Sequence, residues 1–215
     1  MPTSRHYTIL DRLCLGLDQG VRTLSNTAKN TGKSNPGKKI AEHPLTEQQR
    51  QQSAALMRVN HAGEVCAQAL YHGQGMASRT GEVQEKMQQA ALEEGDHLSW
   101  CQHRLEELGS RASYFNLLWY TGSFCIGLVA GVLGDKWSLG FVAETEQQVI
   151  KHLKGHLYLL PQEDERSHAI LAQMEEDETK HRDEAISSGA HDLPMLIQTM
   201  MSLTSKVMVK TAYYI

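Results

Sequence analysis

EVQEKMQQAALEEGDHLSWCQHRLEEL, residues 82–108, reads as one amphipathic helix with an anomaly at its centre. Met87, Ala90, Cys101, Leu105 and Leu108 recur at helical spacing and mark the inward stripe. Glu94 and His97 fall in that same stripe, where charge is normally excluded. Positions i and i+3 share a helix face, so this pair can present a carboxylate and an imidazole to one point. The same spacing returns in Glu178-Thr-Lys-His181, inside the stripe Leu171, Met174, Glu178, His181 and Ala185.

The bare pattern is weak. With 17 Glu and 11 His among 215 residues, about one ExxH match is expected by chance, and a third match does occur at Glu165-Arg-Ser-His168. Position separates them. Helices are predicted over 47–78 and 82–108, joined by a turn at Ser78-Arg79-Thr80-Gly81. Glu64 and Glu94 are equidistant from that turn, each about 22 Å along its helix. Two further helices, 136–159 and 163–188, are broken apart by Pro161, and Glu146 and Glu178 are level across that break. Glu165 sits just past the turn with no level partner and reads as surface charge.

Each of the four helices thus carries a glutamate between small or apolar neighbours. Helix 47–78 offers Met57, Asn60, Glu64, Ala67 and Tyr71; helix 136–159 offers Leu139, Val142, Glu146, Val149 and Leu153. Taken singly, such a glutamate reads as solvated surface charge. Four in one core would repel, and each unpaired buried ion costs several kcal/mol. Two multivalent cations remove that cost. Four Glu and two His (Glu64, Glu94, His97, Glu146, Glu178 and His181) form the di-iron carboxylate arrangement of bundle cores, and oxygen-rich ligation suits iron or manganese. The expected fold is all-α: a ferritin-like four-helix bundle made of two helical hairpins.

The rest of the chain bounds this reading. Apolar residues are 40% and charged residues 21%, with 5 Pro and 3 Phe, as expected of a helical globular protein. A net charge of −4 argues against nucleic acid as a partner. Cys14, Cys66, Cys101 and Cys125 form no CxxC pair, which disfavours structural zinc and fits a reducing compartment. The N-terminal MPTSRHYTILDRL bears charges where an export signal needs apolar residues, so no export is expected. Two domains of unequal standing are expected. Residues 1–45 read as an amphipathic helix (6–24, with Leu10, Leu13, Leu17, Val21 and Leu24 on one stripe, packed on the bundle) and a flexible polar linker. Residues 46–215 read as the bundle, opened by a capping box from Thr46 to Gln49.

Residues 112–134 carry no charge. They read first as a crossover helix buried against the bundle, and second as a segment inserted shallowly in a bilayer. Gly127 and Gly131 form a GxxxG pair, a weak sign of close helix packing in lipid. An apolar, Met-rich extra helix is expected over 194–213. Among smaller signals, His61 reads as a core histidine or a neighbour of the ligands. Asp96 and Asp177 are candidates to orient the ligand histidines, and His152 and Tyr71 are candidates to face the cavity.

The strings Arg58-Val-Asn-His-Ala-Gly-Glu64, Glu94-Gly-Asp-His97-Leu, Val142-Ala-Glu-Thr-Glu146 and Asp177-Glu-Thr-Lys-His181 together resemble the demethoxyubiquinone hydroxylase family of ubiquinone biosynthesis, over about residues 53–213. The resemblance implies the same six ligands, with Glu94 and Glu178 as bridging carboxylates. It implies a monooxygenase that uses two iron ions, O₂ and an external reductant to hydroxylate the ring of 5-methoxy-2-methyl-3-polyprenyl-1,4-hydroquinol. Such a substrate lives in the bilayer, so the implied location is peripheral, on the cytoplasmic face of the cell inner membrane. Other ubiquinone-biosynthesis proteins or a second copy of the chain are the further partners it suggests. The competing functions are a ferritin-like iron-storage protein and a di-iron hydroxylase of another substrate, such as a prenylated tRNA base. The apolar C-terminus and net charge speak against the latter.

Overall fold

The computed structural model describes residues 8–215. The first residues of the expected N-terminal helix, 6 and 7, and the side chain of Leu13 lie outside what is described. Seven α-helices follow one another: α1 (Ile9–Leu24), α2 (Glu47–Ala77), α3 (Gly81–Glu107), α4 (Asn116–Leu133), α5 (Asp135–Leu159), α6 (Glu165–Ser187) and α7 (Met195–Tyr214), with a short 3-10 turn at Pro36–Lys39. No strand occurs among the described residues. The bundle is the ferritin-like one: the antiparallel pairs α2–α3 and α5–α6 enclose the core.

Local chemistry sets the helix ends. Thr46 accepts from the Gln49 backbone N–H, and the Gln49 side chain answers to Thr46, so the expected capping box opens α2. Thr80 and Asp164 cap α3 and α6 more simply, their side chains accepting from the backbone N–H of Val83 and Ser167. Leu160 leaves α5 in an extended conformation before Pro161.

The two ends of the bundle differ. Towards the α5–α6 turn the core is filled by large side chains, among them Met57, Trp100, Leu105, Leu153, Leu171 and Met174. A buried ion pair between Arg104 and Asp164 (2.8 Å) closes that end. Towards the α2–α3 turn the core is built of smaller side chains, Ala67, Val83, Ala91, Val142 and Ala185, around Tyr71 and Met87. Here the tips meet: Thr80 donates to Asp135 (2.7 Å), Arg79 to the Val132 carbonyl (2.7 Å), and the His191 N–H to the Lys136 carbonyl (3.0 Å).

The uncharged crossover forms α4, but it is less buried than expected: 28% of its residues are enclosed. Its inner face meets α2 backbone to backbone. A Cβ on Gly127 would stand 2.3 Å from the Leu70 carbonyl oxygen, and one on Gly73 would stand 2.4 Å from that of Phe124. The GxxxG pair is therefore spent on packing within the chain. The outer face exposes Leu117, Leu118, Val129, Val132 and Leu133.

The N-terminal helix also departs from expectation. Most of its apolar stripe turns away from the bundle: Leu10, Leu17 and Val21 are 69%, 71% and 67% exposed, while Leu24, at the end of the helix, packs against Val65, Ala69, Leu98 and Tyr120. The bundle is met instead by Gly16, Gly20 and Thr23, because α2 and Tyr120 of α4 approach too closely for larger residues. Residues 25–45, read as a flexible linker, form a strap fastened across α3 and α6. The Asp96 carboxylate accepts from the backbone N–H groups of Thr31, Gly32 and Lys33, each at 3.1 Å.

Candidate metal centre

α3 and α6 each place their glutamate and histidine one turn apart on the inward face, and the antiparallel packing brings the two pairs opposite each other. Glu64, Glu94, His97 and Glu178 each offer a ligand atom, and these atoms lie within 4.8 Å of one another. The α3 and α6 glutamates are arranged alike. Glu94 sets Oε2 3.1 Å from His97 Nδ1 and Oε1 3.2 Å from His181 Nδ1. Glu178 sets Oε1 3.1 Å from His97 Nδ1 and Oε2 3.1 Å from His181 Nδ1. Each carboxylate thus spans the two imidazoles, one oxygen to each. Glu64 flanks the His97 side, its Oε2 3.8 Å from Nδ1. Glu146 lies outside the group of four and is buried, with its carboxylate hydrogen-bonded by the Tyr71 hydroxyl. Of the six residues expected from sequence, four lie mutually close, His181 joins them through Glu94 and Glu178, and Glu146 stands at the margin.

The electrostatics are those of carboxylates and imidazoles crowded together in a dry core. Burial, and then the nearby Glu94 charge, pushes the Glu64 carboxyl well above its usual range. Burial and the Glu178 charge do the same to Glu146. Burial would also raise Glu94, but contact with His181 and His97 holds it well below the usual range. Both histidines would be lowered by burial, yet carboxylate hydrogen bonds raise them: Asp177, Glu178 and Glu94 for His97, and Glu178, Glu93 and Glu94 for His181. Glu64 Oε2 and Glu94 Oε1 are buried with no hydrogen-bond donor aligned on them. Such orphaned oxygens are rare in a finished core. Oxygen donors in excess, two imidazole Nδ1 atoms and orphaned carboxylate oxygens fit a pair of iron-like cations.

The distal histidine nitrogens are also held. His97 Nε2 donates to Asp177 (3.2 Å), as expected. Asp96 does not orient a histidine. It points out of the core and binds the strap. The residue that serves His181 is Glu93, at 2.7 Å, which sequence reasoning missed. A signal was present, since Glu93 precedes Glu94 as Asp177 precedes Glu178. His61 is a satisfied core histidine, bonded to Asn26 (3.0 Å) and lowered by burial to about 4. His152 faces α7 and bonds Ser205 (3.0 Å) rather than the cavity. Glu165 is exposed, as its missing partner implied.

Two cavities approach the cluster from the small-residue end. One of about 90 Å³ is lined by Tyr71, Glu93, Val142, His181 and Ala185. A larger one, about 720 Å³, lies between α1, α2 and α3, with Gln68, Tyr71, Met87 and Ala91 on its inner wall. Tyr71, which carries the bond to Glu146, borders both.

Residues 51–212 match the family described as ubiquinone biosynthesis protein COQ7. Among similar curated proteins, the 3-demethoxyubiquinol 3-hydroxylase of Acinetobacter baylyi is 51% identical over 98% of this chain and 100% of its own length. That of Nitrosomonas europaea is 51% identical over 96% of this chain and 99% of its own. That of Nitrosococcus oceani is 49% identical over 98% of this chain and 99% of its own.

Proposed function

The chain belongs to the COQ7 family of ubiquinone biosynthesis proteins, and from that membership we infer that it is a 3-demethoxyubiquinol 3-hydroxylase, hydroxylating the quinol ring at a di-iron centre with O₂ as co-substrate. The observation that supports the metal reading most is the paired span of Glu94 and Glu178 across His97 and His181. In this reading Glu64 and His97 would hold one iron, Glu146 and His181 would hold the other, and Glu94 and Glu178 would be shared between the two. Once bound, the irons supply the reduction of O₂ and the delivery of one oxygen atom to an electron-rich ring.

The chain's own residues do the rest. Asp177 and Glu93 keep the Nε2 protons of the two histidines, which leaves Nδ1 to face the metals. The Tyr71 hydroxyl donates to Glu146 and holds it at the margin of the cluster. Large side chains close the far end against water. Substrate approaches from the small-residue end, with its ring in the cavity whose wall includes Tyr71 and Met87. Near-full-length similarity to hydroxylases favours this reading over iron storage and over a tRNA substrate. Cells lacking the protein should accumulate demethoxyubiquinone on quinone extraction. An unchanged quinone profile, in a strain without a second such enzyme, would sink the assignment.

A prenylated quinol is delivered from lipid, and the exposed apolar side chains of α1, α4 and α7 suit a peripheral seat on the bilayer. Val132, Leu133, Trp137, Ile186 and Met195 are exposed around the tips, near the end at which the cavities open. α4 is long and apolar enough to cross a membrane, but its glycine face is already committed to α2. We therefore place it on the cytoplasmic surface of the inner membrane rather than through it. The protein should float with phosphatidylethanolamine–phosphatidylglycerol vesicles, and Val132→Asp with Leu133→Asp should weaken that binding. Recovery of the parent protein entirely in the lipid-free fraction would refute the membrane seat.

A further inference from the structure

We propose that Lys33, on the strap outside the bundle, is a positioning residue for the ligand His97, acting through Asp177. The inference rests on the metal centre described above. Asp177 Oδ2 is shared by two donors, His97 Nε2 at 3.2 Å and Lys33 Nζ at 2.6 Å. Asp177 is nearly enclosed, with 9% of its side chain exposed, and its other oxygen, Oδ1, meets Gln173 Nε2 at 3.2 Å and Lys180 Nζ at 3.5 Å, so Lys33 is the cation on the oxygen that holds His97.

Lysine is ordinarily a poor positioning group, because its long side chain has many rotamers. Here both ends are fastened. The Lys33 backbone N–H donates to Asp96, its carbonyl accepts from Trp100 Nε1 (3.3 Å), and its ammonium lies 5.7 Å from the centre of the Trp100 ring. Trp100 in turn packs on His97, with ring centroids 5.2 Å apart. Gly95 permits the approach: a Cβ there would stand 2.1 Å from the Lys29 carbonyl oxygen. The strap, Trp100 and Asp177 therefore form a bracket around one imidazole.

The other imidazole has no such bracket. His181 Nε2 donates to Glu93, whose side chain is 39% exposed and whose remaining side-chain partner is the neutral Gln89 amide, through Glu93 Oε1. His181 and Glu93 also line the 90 Å³ cavity, whereas His97 does not. The centre is nearly symmetric in its ligands and unequal in what supports them. The Glu64–His97 position is held rigid and closed, and the Glu146–His181 position is left adjustable and open to a small ligand. Residue 33 lies outside the stretch 51–212 that matches the family, in a segment that the near-full-length relatives also span.

Cobalt(II), whose visible absorption reports coordination, tests this when titrated anaerobically into the metal-stripped full-length chain. The parent should take two equivalents. Lys33→Met should bind one of them unchanged and the other about ten- to a hundredfold more weakly, with an altered band for that ion alone. Lys33→Arg should restore the parent titration. Thr31→Val, which removes the Thr31 hydroxyl's hydrogen bond to Asp96 and so loosens the strap while leaving the lysine charge in place, should weaken the same ion. Parent-like binding of both ions by Lys33→Met would overturn the proposal, as would equal weakening of both. A parent chain that takes up no cobalt would overturn the metal reading itself.

Discussion

Replacing Glu178 with Ala is expected to abolish turnover and to lower the iron content below two per chain. The side chain gives one oxygen to the His97 side of the cluster and the other to the His181 side, each at 3.1 Å. Its loss therefore touches both metal positions at once. Losing a residue that only orients a ligand typically costs about 10- to 100-fold in metal affinity or activity, so losing a shared ligand should exceed roughly 100-fold. Iron analysis and turnover in detergent-dispersed quinol check both parts, and retained turnover would refute the bridging role. Glu178→Gln separates ligation from folding. It keeps the volume and removes one of several buried carboxylates, so the metal-free variant should unfold no more easily than the metal-free parent. What should shrink is the stabilisation gained on adding metal, by about 2.7 kcal/mol for each hundredfold loss of affinity at saturating metal. Equal metal-dependent gains in the two proteins would count against Glu178 as a ligand.

Gly127→Leu should be the most damaging substitution on the crossover helix. A Cβ at 127 would lie 2.3 Å from the Leu70 carbonyl oxygen and 2.9 Å from its Cα. Those are backbone atoms of α2, which cannot rotate aside as a side chain would. The helices must separate along their length, and α2 carries Glu64 and Tyr71. Overpacking a core commonly costs about 1–3 kcal/mol, and a clash against rigid backbone belongs at or beyond the upper end. Gly122→Leu is the matched control. It lies on the same helix with nothing within 4 Å of its Cβ position, so it should be neutral or gain up to about 1 kcal/mol from helix propensity. Urea unfolding of the two variants reads the difference directly. Similar midpoints would mean that α4 is not clamped to α2 in solution.

These outcomes bear on how the exposed apolar face of α4 and the site are joined. α4 shows apolar side chains on its outer face and lies against α2 through glycines, without an intervening layer of side chains. A helix attached that closely moves as one body with its neighbour. Displacing α4 should therefore reach the proposed ligand Glu64 on α2 as well as the proposed lipid contact.

Much of this protein is written in local pattern. The capping box at Thr46, the turn near Arg79 and the break at Pro161 follow from the chemistry of single residues and their immediate neighbours. Helix length then converts sequence distance into height, which is why Glu64 with Glu94, and Glu146 with Glu178, could be recognised as level before any coordinates. The ligand set is legible for a physical reason: charge placed in an apolar stripe needs compensation, and the spacing says where. Orientation around the helix axis separates the acceptors that meet ligand histidines from the one that does not. Measured from the middle of its Glu–His pair, Glu93 sits about 70° round the helix and Asp96 about 130°. The first faces the neighbouring helix and takes His181, and the second faces outward to the strap. An amphipathic pattern likewise says that α1 has an apolar face, but not what covers it. Close approach of α2 and α4 left room only for glycine at positions 16 and 20 on the inner side. The bracket at Lys33 was beyond reach of any local pattern, because its partners Asp96, Trp100 and Asp177 are remote in the chain and meet it only after α3 and α6 have packed.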